Sequence, residues 1–393
     1  MTAPESLLRA RRAHVRDAEP RQALERLARE LDAERASAVL LFCSNSYDLD
    51  RLGRGISDVF RAPVAACTGA GQIGPDGFEH GGITGISLHS GDLTMRPLLL
   101  SPLSLCQSQA QSLARDHAAR GASQPGLRSF GVLLVDGLSM WEEFVAAALY
   151  EAFGNVTVVG GSAATDAPGQ EPAVYHDGRF LRGAAVLALF ETHSIPFATF
   201  VAQHFVPSSN KLVITLADPE RRTVYEINGE PAALAYARAI GVDAAALGTA
   251  HFSTRPLMLD LGEQLLPRAI RARQADDSLV LACAIEEGLV VSIADSKDPL
   301  LTLDGALSEI ERRVPDPAAL LVFDSVARRL ELEARGLDDA VGSLLARHGA
   351  VGFSSYGEQL GPIHTNHTLT GIALGSHAAL GSASERYDTG RPG

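Results

Sequence analysis

A unit recurs three times along this chain, and it limits the available folds more than any other feature. Each copy opens with an apolar strand, passes through a helix, and makes a second strand that breaks into glycines. The opening strands are Ser37-Ala-Val-Leu-Leu-Phe-Cys-Ser44, Phe130-Gly-Val-Leu-Leu-Val-Asp-Gly137 and Ala319-Leu-Leu-Val-Phe-Asp-Ser325. The second strands are Pro63-Val-Ala-Ala-Cys-Thr-Gly-Ala-Gly71, Val156-Thr-Val-Val-Gly-Gly-Ser162 and Ala350-Val-Gly-Phe-Ser-Ser-Tyr-Gly357. A further apolar strand follows each, at 82–88, 183–190 and 369–374. A β-α-β-β unit cannot bury its apolar face alone, so the copies must stack. The expected fold class is α/β: two domains of mixed β-sheets with helices, built from repeated β-α-β-β units.

At 393 residues, two domains are the default. The net charge of −13 argues against a nucleic-acid surface, which needs a local excess of Lys and Arg. The four cysteines are scattered, with no CxxC pair and no CxxCH, which speaks against structural zinc and covalent haem. Buried free thiols in a reducing cytoplasm are expected. The charged N-terminus lacks the apolar core of a signal peptide, and no run approaches the ~18 apolar residues of a membrane span.

Along the chain, residues 1–36 read as a polar helix, with Leu24, Leu27, Ala28 and Leu31 on one stripe. Residues 37–200 read as a first domain holding copies one and two, and 201–375 as a second holding copy three. Residues 376–393 read as a frayed tail. Within the second domain, 211–216 and 222–227 read as antiparallel strands, Asn228-Gly229 as a turn, and Pro231 as a helix start. The segments 278–285 and 289–294 read as a hairpin across Glu286-Glu287-Gly288.

Gly69-Ala70-Gly71-Gln72-Ile73-Gly74 matches a dinucleotide fingerprint, but Pro75-Asp76-Gly77 follows where a helix N-terminus would be needed, so a structural turn is expected. His364-Thr-Asn-His367 suggests a ligand pair. In an extended segment the two rings point to opposite faces, which disfavours one shared zinc but leaves a single axial histidine to a haem iron. His204 lies between Gln203 and Phe205, where a packed core histidine is the plainer reading. Arg328-Arg329 and Arg268, Arg271 and Arg273 suit either the carboxylates of a ligand, such as haem propionates, or a solvated helix or loop face. Asp136, Asp166 and Asp324 sit at strand ends, where caps and turns explain them. There is no GxSxG, P-loop or HExxH, and no convincing acid–base pair, so nothing argues for hydrolysis or phosphoryl transfer and an enzyme is not expected.

In order and spacing, Cys67-Thr-Gly-Ala-Gly-Gln-Ile-Gly74, Gln203-His-Phe205, Val224-Tyr-Glu-Ile-Asn-Gly-Glu-Pro-Ala-Ala233, Val351-Gly-Phe-Ser-Ser-Tyr-Gly-Glu-Gln359 and His364-Thr-Asn-His-Thr-Leu-Thr-Gly371 resemble the FIST sensory domains, and within them the nitric-oxide-sensing NosP-like proteins. The resemblance spans about 37–375. It implies a bacterial, cytoplasmic b-type haem sensor of nitric oxide that regulates a separate histidine kinase or cyclic-di-GMP enzyme, with self-association left open. The family's HxNxT segment falls on His364, Asn366 and Thr368, and its QHF on His204. The implied iron ligand is His364 with His204 in reserve, supported by Asn366, Arg328, Arg268 and Tyr356. Three positions depart from the pattern: Arg255-Pro256 replaces a His-Pro, Asp324-Ser325 an Asp-Cys, and His367 a glutamine. The first departure favours a second expectation, a haem-free module for an amino acid or similar metabolite. Either ligand is expected in a cleft where Tyr356-Gly357-Glu358 faces Gly160-Gly161-Ser162 or Gly69-Ala70-Gly71.

Overall fold

Each copy is larger than its sequence signature. In the computed structural model, which describes residues 7–154, 156–166, 169–262 and 264–376, every copy begins with an edge strand and a helix ahead of the signature. In copy one these are Arg9–Val15 and Pro20–Glu30; in copy two, Thr94–Leu100 and Cys106–Gly121. In copy three they are Phe197–Ala202 and Pro299–Arg313. The first 36 residues are therefore not one helix. Arg9–Val15 alternates exposed arginines with buried Ala13 and Val15, the period-two pattern of a half-buried strand, and pairs antiparallel with Ile83–His89.

The signature strands pair parallel within each copy: Ala38–Cys43 with Val64–Thr68, Arg128–Asp136 with Thr157–Ala163, and Pro317–Ser325 with Ala350–Ser355. The third strand lies antiparallel on the other side of the first. Each copy also extrudes a short hairpin that leaves its own sheet. Copy one sends Gln72–Gly74 and Gly77–Glu79 to copy three, copy two sends Val174–His176 and Arg179–Leu181 to copy one, and copy three sends Glu358–Leu360 and Ile363–Thr365 to copy two. Three six-stranded sheets result, closed into a ring by exchanged hairpins.

The inner faces of the three sheets share one core. Phe42 stacks on Phe353 at 5.0 Å, Phe353 meets Phe323 edge-on at 5.8 Å, and Phe130 stacks on Phe190 at 4.7 Å. Copy three thus packs with copies one and two rather than in a domain of its own, burying its inner apolar face in the core they share.

The second body is an insertion, 205–296, between the edge strand and the helix of copy three. Its strands run in the order Leu265–Arg268, Leu257–Asp260, Val290–Ser296, Phe205–Asp218, Thr223–Ile227, Leu279–Leu281, Ile270–Arg273. The Asn228-Gly229 turn forms with φ of 53° and 75°, the left-handed values such a turn requires. The expected hairpin of 278–285 and 289–294 does not form. Its two halves flank the central hairpin on opposite sides, each pairing with one arm of it. An apolar core that includes Ile214, Val224, Tyr236 and Ile293 holds this body together.

Among the described residues no helix is long and apolar enough to cross a membrane. The expected frayed tail lies outside the described residues apart from Ser376.

Candidate functional site

A cavity of about 210 Å³ opens where the insertion meets copies two and three. The core contributes the carboxyl ends of its strands, where ligands of α/β sheets commonly bind: Gly137 after Arg128–Asp136, Ser325 at the end of Pro317–Ser325, and Ser355 and Tyr356 at the end of Ala350–Ser355. The first turn of the helix Val326–Ala334 and Asn366 complete this side, and Arg222, Thr249, Ala269–Arg271 and Ala282 form the other.

Three buried polar contacts fasten the insertion around the cavity. Arg222, held at a φ of 49° before the strand Thr223–Ile227, donates to Glu142 at 2.7 Å, to Glu143 at 2.6 Å and to the carbonyl of Ala282 at 2.9 Å. Burial disfavours the Arg222 charge, but Glu142 and Glu143 outweigh it and hold the guanidinium above its ordinary range. Burial likewise pulls the Glu143 carboxyl up; His364, Arg222 and the amide of Ala284 bring it below. In the second contact, the amide of Ala269 reaches the Asn366 side-chain oxygen at 3.4 Å. Third, His204 Nε2 meets Glu331 at 2.7 Å, and the other oxygen of Glu331 accepts from Ser296 and Arg335, each at 2.9 Å. Both chain crossings into the insertion are thus tied to the helix whose first turn lines the cavity.

The residues expected to bind a ligand scatter around this site. Tyr356 and Asn366 line the cavity, and of the arginines so do Arg271 and Arg222. Arg328 is buried against Asp324 at 2.6 Å, with Nε and Nη2 left without partners. Arg329 pairs with Glu333 and covers the ring of Phe78. Arg268 lies beside Cys283, and Arg273 pairs with Asp277. Tyr356-Gly357-Glu358 does not face the copy-two glycines across a cleft. Glu358 and Gln359 pair directly with Gly161 and Gly160 as strand neighbours, and the amide of Ala70 donates to the carbonyl of Ser354 at 2.9 Å. Gly69-Ala70-Gly71 leads into an exchanged strand, not a helix, and carries no nucleotide fingerprint.

His364 pairs with Gln359, which pairs with Gly160. In the other two hairpins the corresponding chains of partners are Phe78, Ile73, Gly352 and Phe180, Tyr175, Ala66. His364 therefore occupies the packing place of two phenylalanines. Its Nδ1 lies 3.1 Å from Gln359 Nε2, and its Nε2, without a partner, abuts Gly357, where an added Cβ would lie 2.7 Å away. His367, at a φ of 54°, is fully buried beside Phe205 with neither ring nitrogen partnered, so it is part of the packed interior. Burial lowers its pKa to about 3.

These residues do not fit a haem. His364 is 3 % exposed and outside the cavity, and His204, buried against Glu331, does not line the cavity either. The cavity lies below the ~300–1,000 Å³ of drug-sized ligand sites and is far too small for a porphyrin. Arg255, at the His-Pro position, pairs with Asp295. No cluster of three or more metal-ligating side chains occurs among the described residues. All four cysteines are buried and unpaired, and burial pushes the Cys43 and Cys67 thiols up, away from reactivity.

Sequence reading missed Arg222 and the Glu142–Glu143 pair. The available signal was two acids opening an otherwise apolar helix, Phe144-Val-Ala-Ala-Ala-Leu149, which reads equally well as a charge complement to the helix dipole.

The fold and cavity define a binding module assembled from repeats and one inserted sheet. A family model described as FIST N domain matches residues 37–230, and one described as FIST C domain matches residues 232–361, so the chain belongs to the FIST family. FIST domains are sensory domains of signal transduction. No curated protein matches the chain in sequence.

Proposed function

We propose that this protein is a haem-free sensory module that binds a small metabolite in the cavity between the inserted sheet and the core, and signals through a separate partner. The observation that carries the reading is the cavity itself. It is built from both bodies, at the carboxyl ends of the core strands, and is of metabolite size. A ligand there touches Arg222 and the helix Val326–Ala334, the two elements that fasten the insertion. Its binding energy therefore favours the closed arrangement over any opened one, which is what a sensor requires.

A metabolite screen by thermal shift tests this on the full chain and on Ala327→Trp, which fills the cavity from a half-buried position in the first turn of the helix Val326–Ala334. The expected result is stabilisation of the native chain and none of the variant, with no visible absorbance in either. A stoichiometric Soret band after haem reconstitution, lost in His364→Ala, would overturn the proposal in favour of a haem sensor.

A further inference from the structure

We infer that the ligand is a short carboxylic acid carrying no amino group, rather than an amino acid. The inference rests on the cavity being the ligand site. The charged side chains in its wall are two arginines, Arg222 and Arg271, with no Asp or Glu among them. In a chain of net charge −13 a purely cationic wall runs against the background. Arg222 is neutralised by its two glutamates, whereas Arg271 is exposed and forms no ion pair among the described residues. It is therefore the cation left for a ligand. The first turn of Val326–Ala334 adds to this, since no side chain caps its amides.

An ammonium group, by contrast, finds no carboxylate. Glu142 and Glu143 stand behind Arg222 and are engaged by it, and the second oxygen of Glu143 takes the amide of Ala284 at 2.7 Å. Glu358, behind Ser355, has both oxygens occupied, by Ser355 at 2.6 Å and Thr368 at 2.7 Å. A buried ammonium without such a partner is strongly disfavoured. The rest of the wall includes Ile270, Val326, Ala327 and Leu330, which suits a short carbon chain better than a fully hydrated inorganic anion.

The test is calorimetric titration of the full chain with two matched pairs, pyruvate against alanine and succinate against aspartate, and with inorganic phosphate. The same probes are run on Arg271→Gln and Ala327→Trp. One acid is expected to bind at least about tenfold more tightly than its amino counterpart, to lose about tenfold or more in Arg271→Gln, and to be excluded by Ala327→Trp. An amino acid that binds as well as its matched acid, acid binding indifferent to Arg271→Gln, or phosphate binding as tightly as the acids overturns the inference. So does an absence of binding by all five probes at millimolar concentration. Sensitivity of any bound probe to Ala327→Trp separates these outcomes from failure of the cavity reading, which falls if a probe binds the variant unchanged.

Discussion

Arg222 joins the inserted sheet to the core through two carboxylates, and its side chain is 5 % exposed. Removing one member of a buried charge cluster leaves the others uncompensated, at ~3–5 kcal/mol. Arg222→Met should lower stability by about that amount in chemical denaturation, and adding Glu142→Gln and Glu143→Gln should restore most of it. A single variant as stable as the native chain would show that the cluster is hydrated. His367 supplies a second residue-scale prediction. Burial holds its pKa at about 3, below the ordinary 6.5, and neighbouring His204 lowers it further while Glu331 raises it. Between those values the unfolded chain binds the extra proton and the folded chain does not. Stability is therefore full above pH 6.5 and falls towards pH 3 by up to ~1.4 kcal/mol per pH unit. Glu331 acts in the same direction: burial pulls its carboxyl up, but His204, Arg335 and Ser296 hold it below its ordinary value, so its contribution is lost on acidification. His367→Asn keeps a residue that tolerates the left-handed φ and should flatten the pH profile of the melting temperature over this window. An unchanged slope would remove His367 from the account. The sequence put His364 first as iron ligand, with His204 in reserve, because His364 falls on the family's HxNxT histidine and follows Gly361-Pro362. Which ring sits against Glu143 and which is sealed beside Phe205 depends on the exchanged hairpin, not on spacing.

The glycine-broken second strands are the elements most open to misreading. They suggest a backbone cleared for a planar ligand, yet the space is taken by the neighbouring strand. A Cβ on Gly160 would lie 1.9 Å from the carbonyl oxygen of Leu133, and one on Gly352 1.7 Å from that of Val322. Gly160→Ala should therefore destabilise the protein by ~1–3 kcal/mol or more, because the obstruction is backbone and cannot rotate away. In the helix Pro299–Arg313, Gly305 meets nothing within 4 Å, and Gly305→Ala should stabilise by up to ~1 kcal/mol. Denaturation curves of the two variants should move in opposite directions; a shared direction would refute the packing argument. The signature strands and their helices were legible from period and turn residues. The edge strand Arg9–Val15 was not, since its alternation is carried by arginine and alanine and resembles a charged helix face. The hairpin expected at 278–294 failed for a related reason: two strands adjacent in sequence can each find a better partner in the same sheet.

At the scale of the whole molecule, the insertion leaves and rejoins the core at neighbouring points. Phe205 pairs with Ser296, and the amide of Lys297 donates to the carbonyl of His204 at 2.8 Å. The two bodies have separate apolar cores. Replacing 205–296 by a short linker should thus leave the three-copy core folded, with a cooperative melt and native-like circular dichroism, while abolishing metabolite binding. A deletion that yields an unfolded chain would show that the core needs the insertion. By itself the sequence determined that three copies exist, which strands are apolar, and that they must cover one another, because hydrophobic pattern is local and its burial is obligatory. It also carried the family. Only the tertiary structure decided that copy three closes a ring with the other two, that each hairpin crosses to a neighbouring sheet, and that Arg222 and Arg271 from one body meet a helix terminus of the other. Those pairings join residues far apart in the chain, and their energies depend on which surfaces remain uncovered after the local elements have formed, which no stretch of sequence records.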